Sequence, residues 1–152
     1  MKEGANQQMN IKDIKDVILF QLDITSKQSK IYSQRIMDDA GMGITVEQWV
    51  LLKIVQESKG LSQKEIASKS YRDPASITRT LDILERKGFV IRVRDENDRR
   101  QYGIVLTKQG KDFVDEHMAL VNDMRRLTVK GFSTEEVQML VKLLKRIKEN
   151  FS

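Results

Sequence analysis

Arg79 and Arg86 stand seven residues apart, two helical turns, within the segment 74–87, and at about 100° per residue they share one side with Ala75 and Asp82. Ser76 and Thr80 flank that side. Ile77, Leu81 and Leu84 fall on the opposite side, within about 40° of Ile77, and form an apolar stripe. One face is therefore written for a core. The other is small and polar near its N-terminus and cationic further along, which suits approach to base edges and to phosphates. Arg72 lies just ahead of it. Ile83 points partly outward, where it can pack beneath a neighbouring hairpin or meet a thymine methyl. A second cationic group follows, with Arg92 and Arg94 on an alternating segment and Arg99 and Arg100 beside Asp98 in a polar stretch. A charged loop is often only a solvated turn, but Arg side chains beside such a helix are well placed for the negative potential of a narrow minor groove.

Other chemistries have little to work with. The 152 residues include no Cys, which removes disulfides, thiolate nucleophiles, Cys-type zinc sites and thiol redox sensing. The single His, His117, leaves few triads or metal clusters. Asp115-Glu116 and Glu135-Glu136 are adjacent on helical segments, so each pair diverges by about 100° and cannot flank one bond. Gly41-Met42-Gly43 lacks the third glycine and the preceding strand of a nucleotide fingerprint and reads as a turn. No enzyme, metal or cofactor is expected. The net charge of +5 is concentrated: residues 61–110 hold 11 Lys/Arg against 7 Asp/Glu, while residues 1–60 balance at 8 and 8. That excess favours a polyanionic partner. No apolar run approaches a membrane span and residues 1–10 do not resemble a signal peptide, so a cytoplasmic protein is expected, with no membrane partner.

Periodicity and caps supply the elements that must position these residues. Residues 11–37 carry a helical apolar pattern that ends at Gly41. Thr45 with Gln48 is a capping box opening a helix over 46–58, whose Trp49 and Leu52 belong in a core. Ser62 with Glu65 repeats the box before a short helix over 63–69. Asp73 caps, Pro74 suits the first helical position, and Gly88 ends the helix that follows. Residues 89–94 and 102–106 alternate as two strands of a hairpin. Thr107 caps a long helix through Lys130 with a stripe of Phe113, Val114, Val121, Met124 and Leu127. Ser133 with Glu136 opens a last helix bearing Val137, Leu140, Val141, Leu144 and Ile147. The expected fold is mainly α with a small β-hairpin, an α+β winged helix-turn-helix, with the helices at 10–40 and 108–150 for dimerisation and residues 44–107 as the DNA-binding domain. Those long helices present more apolar stripe than the winged helix can cover, so a second copy is the expected partner.

The runs Ser76-Ile77-Thr78-Arg79, Leu84-Glu85-Arg86-Lys87-Gly88-Phe89-Val90, Asp98-Arg99-Arg100 and Leu106-Thr107-Lys108-Gln109-Gly110 resemble the MarR family (multiple antibiotic resistance regulators) in order and spacing. The resemblance covers roughly residues 10–148. It implies a homodimer with interlocking terminal helices that binds a pseudo-palindromic operator in double-stranded DNA, usually as a repressor relieved by a small organic ligand. It places Asp98 as the orienting carboxylate of the wing and Arg100 in the minor groove. The DNA-contacting set is then Arg72, Ala75, Ser76, Arg79, Thr80, Arg86, Arg94, Asp98, Arg99 and Arg100. Ile83 departs from the polar residue usual at its position. The effector, if any, is a non-covalent organic ligand, expected between the DNA-binding lobe and the dimerising helices near Trp49 or Met residues, although packing explains those residues equally well. The rival reading is a winged helix serving protein interaction alone, which has no need of Arg79, Arg86 and Arg100 on one face.

Overall fold

The computed structural model describes residues 13–58, 60–94 and 102–151. The chain divides into two compact units, Met1–Val50 and Leu51–Ser152.

In the first unit a helix, α1, spans Ile18–Asp39, preceded by a 3-10 turn at Ile14–Asp16. The sequence pattern suggests one helix from residue 11, but the Asp13 carboxylate accepts from the Lys15 amide at 2.9 Å and Val17 is extended (φ −77°, ψ 117°). A short polar side chain bonded to its own backbone offers the chain an alternative to helix, and α1 starts only at Ile18; residues 11 and 12 of the expected helix lie outside the described residues. At the other end Gly41 takes φ +67° and the Met42 amide reaches the Met37 carbonyl at 3.0 Å, the left-handed stop expected of glycine. The second helix, α2 (Val46–Glu57), opens on the expected box. The Gln48 amide donates to Thr45 Oγ1 and the Thr45 amide to Gln48 Oε1, both at 3.1 Å. Met37, Met42, Ile44 and Trp49 are buried, whereas Ile18, Leu19, Ile31 and Tyr32 along α1 are exposed.

The second unit carries the end of α2, then β1 (Leu61–Ser62), α3 (Gln63–Ser70), α4 (Pro74–Arg86), β2 (Val90–Arg94), β3 (Tyr102–Leu106), α5 (Lys108–Thr128) and α6 (Thr134–Glu149). Its core is Leu51, Leu52, Val55, Ile66, Ala67, Ile77, Leu81, Leu84, Val90, Ile104, Leu106, Val114 and neighbours. The sheet is antiparallel in the order β1-β3-β2, with Val90 opposite Leu106 and Arg94 opposite Tyr102. Two findings depart from the sequence pattern. A third strand, β1, pairs Leu61 with Ile104 and Ser62 with Gly103, too short a stretch for alternation to reveal. The sequence alternation over 89–94 sets Phe89, Ile91 and Val93 on the apolar side against Arg92 and Arg94, and of these only Phe89 is buried. Val90 faces the core, while Ile91 and Val93 are exposed and Arg92 is half-buried. On α5, Val114, Val121 and Met124 are buried as the stripe suggests, but Leu127 is exposed.

Two glycines let backbones close on this sheet. A Cβ on Gly103 would stand 2.7 Å from the Gly60 carbonyl oxygen, beside the β1 pairing. A Cβ on Gly110 would drive into the Phe89 carbonyl oxygen, a backbone atom fixed at the end of α4. The Thr107 amide donates to that same carbonyl at 3.0 Å, and Thr107 Oγ1 caps α5 through the Gly110 amide at 2.9 Å. Gly110→Ala is therefore expected to destabilise the fold by about 1–3 kcal/mol, the range of overpacking a filled site. The check is a urea melt, where an unchanged midpoint would show that the contact relaxes freely.

Candidate nucleic-acid interface

The short helix α3 is held at its start by Ser62. The Glu65 amide donates to Ser62 Oγ and the Ser62 amide to Glu65 Oε2 at 2.8 Å. The Ser62 backbone and hydroxyl hydrogen bonds hold the Glu65 carboxyl below the usual glutamate range. At the other end Tyr71 takes φ +54°, a left-handed conformation rare outside glycine, and turns the chain toward α4. Nothing in the spacing signals a tyrosine there. The turn is completed by Asp73, whose carboxylate accepts from the Ser76 amide at 2.9 Å, with Pro74 in the first turn. Gly88 at φ +77° and a bond from the Phe89 amide to the Leu84 carbonyl (3.0 Å) end α4. Both limits of the helix agree with the sequence pattern to a residue.

Between those limits α4 separates its two faces as the angular arithmetic implies. Ile77, Leu81 and Leu84 are fully buried. Ala75, Arg79 and Arg86 are exposed, and Ser76, Thr80, Asp82 and Ile83 are half-buried. Thr80 Oγ1 donates back to the Ser76 carbonyl at 2.9 Å, which leaves its oxygen lone pairs for an incoming donor. Arg79 and Arg86 enter none of the ion pairs among the described residues. Two exposed cations two turns apart, outside the ion pairs among the described residues, are what a phosphate-bearing ligand can engage at low desolvation cost. Arg72 is half-buried at the α3–α4 turn, its amide bonded to the Ala67 carbonyl at 3.1 Å.

The hairpin supplies the second part of the surface. Arg94 is exposed, donates from Nε to the Tyr102 hydroxyl at 3.3 Å and lies 5.9 Å from that ring's centroid. Asp98, Arg99 and Arg100 lie outside the described residues. Arg92 is different in kind. It pairs with Asp82 at 2.5 Å and with Glu85 on α4, and its Nε donates to Gln63 Oε1 on α3 at 3.1 Å. The sequence pattern puts Arg92 among the cations leading to the hairpin tip, but its partners lie 7, 10 and 29 residues away, beyond any local spacing rule.

Among the described residues no cluster of three or more His, Cys, Asp or Glu could hold a metal ion, and no helix is long and apolar enough to cross a membrane. The His117 ring lies against Phe113, tilted by 38° with ring centroids 4.4 Å apart, and its Nδ1 donates to the Phe113 carbonyl at 2.9 Å.

A helix-turn-helix followed by an antiparallel hairpin, with the second helix presenting a cationic face, defines a winged helix-turn-helix protein. The model of the MarR family matches residues 44–102, the helix-turn-helix and hairpin segment. Solved structures extend the likeness of fold over nearly the whole chain. The MepR–DNA complex of S. aureus is 24% identical, with 88% of this chain and 98% of that one covered and a TM-score of 0.79. A mutant MarR from E. coli complexed with operator DNA is 24% identical over 85% and 94% (TM-score 0.72). CouR from Rhodococcus jostii bound to p-coumaroyl-CoA is 25% identical over 90% and 94% (TM-score 0.80). The chain thus has the fold of the MarR-family transcriptional regulators.

Proposed function

We propose that this protein is a sequence-specific double-stranded DNA-binding transcriptional regulator, acting as a homodimer on a pseudo-palindromic operator. The observation that carries the reading is α4, which buries Ile77, Leu81 and Leu84 completely while leaving Arg79 and Arg86, beside the β2–β3 hairpin, exposed and outside the ion pairs among the described residues. In this reading residues 44–107 bind DNA and the helices at 10–40 and 108–150 dimerise. Ala75, Ser76, Arg79 and Thr80 enter the major groove, Arg72 and Arg86 meet phosphate, and Arg94, Asp98, Arg99 and Arg100 form the wing contact. Support comes from MepR of S. aureus and MarR of E. coli, whose similar folds were solved with DNA.

The dimer follows from exposed apolar surface. Leu140, Val141 and Leu144 along α6 and Ile18, Leu19, Ile31 and Tyr32 along α1 are large and solvent-facing in a single chain, and a second copy is the occupant that also matches operator symmetry. Regulation is proposed as repression relieved by a small organic ligand, supported by CouR with p-coumaroyl-CoA and by BpsR of Bordetella bronchiseptica, whose DNA binding is regulated by 6-hydroxynicotinic acid. The protein works in the cytoplasm, without catalysis or a cofactor. Recovering and sequencing genomic fragments retained by the purified protein tests the reading. A shared inverted repeat is expected, and retention of no sequence above background would reject it.

The wing contact has its own test. Removing one phosphate-neutralising cation flattens the dependence of log affinity on log salt by about one unit, so Arg100→Ala should flatten it by about two per dimer. Its cost should also be larger on duplexes with A·T-rich flanks, where the minor groove is narrow and its potential strongest. A salt titration on A·T- and G·C-flanked duplexes measures both, and an unchanged slope in a normally melting variant would remove Arg100 from the interface.

A further inference from the structure

Asp82 occupies an awkward place for a helix that meets DNA. At about 100° per residue it falls within about 60° of Ala75, Arg79 and Arg86, on the face that would lie against phosphate. Glu85 borders the same face. Two carboxylates there would oppose the polyanion and offset what Arg79 and Arg86 contribute. The geometry around Arg92 resolves the conflict. Its Nη2 meets Asp82 Oδ1 at 2.5 Å, its Nη1 meets the Glu85 carboxylate, and its backbone amide donates to Glu85 Oε1 at 3.4 Å. Its Nε is held by Gln63 Oε1 at 3.1 Å, and Gln63 is fixed in turn through Nε2 to Thr78 Oγ1 at 3.0 Å. All three guanidinium nitrogens are thus engaged by side chains of α3 and α4. The Arg92 side chain is only 24% exposed, against 49% for Asp82 and 38% for Glu85, so the arginine sits on the protein side of the carboxylates.

We infer that Arg92 is a positioning residue for DNA binding that holds no phosphate itself. It neutralises Asp82 and Glu85 and turns them inward, so that Arg79 and Arg86 alone set the charge of the recognition face. This rests on the DNA-binding reading above and assigns Arg92 a role opposite to that of its cationic neighbours. A phosphate-binding arginine and a masking arginine both cost affinity when removed. They differ in salt dependence and in what restores binding.

The experiment titrates one duplex, selected by the wild-type protein, over a range of salt with four proteins checked for folding by thermal melting. Arg92→Gln is expected to weaken binding about tenfold or more, since two unpaired carboxylates per protomer then face the phosphates, without the flattening of about one unit per protomer that loss of a phosphate contact brings. Adding Asp82→Asn and Glu85→Gln to Arg92→Gln should restore affinity to within about threefold of wild type. A role confined to bracing the hairpin predicts no such rescue, because the clamp is still absent. The fourth protein, Asp82→Asn/Glu85→Gln with Arg92 intact, should bind every duplex more tightly, and it decides the matter if Arg92→Gln does not fold. A flattened slope in Arg92→Gln, a folded triple variant no better than the single, or a double variant no tighter than wild type each overturns the inference. Wild-type protein that binds no duplex at low salt would instead reject the DNA-binding reading itself.

Discussion

A chain ending after Lys130 is expected to be monomeric and to lose about 10²- to 10⁴-fold in operator affinity, the gain normally supplied by linking two half-site interactions. The truncation removes α6, whose Leu140, Val141 and Leu144 are 46%, 46% and 38% exposed in a single chain, with Met139 and Leu143 beside them. An amphipathic helix of 16 residues derives little stability from propensity and needs its apolar face covered. The capping box at Ser133 and Glu136, with the Ser133 amide donating to Glu136 Oε2 at 2.7 Å, shows that the helix start is specified locally. Val137 and Ile147 are half-buried, but the middle of the stripe, Leu140, Val141 and Leu144, stays open in one chain. Leu140→Glu/Leu144→Glu is the gentler version, since it keeps the helix and places charge on the proposed contact. Light scattering across a dilution series reads the mass, and a duplex titration reads the affinity. A truncated or doubly charged chain that remains dimeric would place the contact elsewhere.

Those same local devices explain why so much of the fold could be read directly from the chain. Thr45 with Gln48, Ser62 with Glu65, Ser133 with Glu136, Asp73 with Pro74, and Gly88 each settle a helix end within four residues. Nothing distant is needed to satisfy them, so spacing alone is informative. The two faces of α4 are legible for the same reason, because the helix period alone sets them. What escaped detection depends on long-range pairing. The strand Leu61–Ser62 exists because β3 lies beside it and because Gly103 has no side chain to hold Gly60 away. Alternation assigns Ile91 and Val93 to the apolar face of β2, but Val90 competes for the core from the other side, and its packing opposite Leu106 puts it there instead. Arg92 reads as one more cation on a basic strand. Its role depends on carboxylates that the α4 period places on the outer face and on a glutamine 29 residues earlier. Electrostatic pairing across elements leaves no periodic trace, so counting charges along a sequence does not find it.

Arg79 and Arg86 should separate sequence reading from DNA positioning. Arg79 lies in the second turn of α4, the part of a recognition helix that points at base edges, and Ala75, Ser76 and Thr80 around it are small enough to permit close approach. Arg86 is the last residue of the helix, two turns further along, where the axis leaves the groove and phosphate is the nearer target. Arg79→Ala is expected to cost about 1–3 kcal/mol on the cognate duplex and much less on a random one, and to relax base preference at one position in each half-site. Arg86→Ala should weaken cognate and random duplexes alike and flatten the salt dependence by about one unit per protomer. Neither change should lower the melting temperature appreciably, because both side chains are exposed and enter none of the described ion pairs. The measurement is a competition of cognate against random duplex at two salt concentrations, with each half-site base varied in turn. Equal losses on both duplexes for both variants would mean that α4 positions the protein without reading sequence, and the reading element would then have to be sought outside this helix.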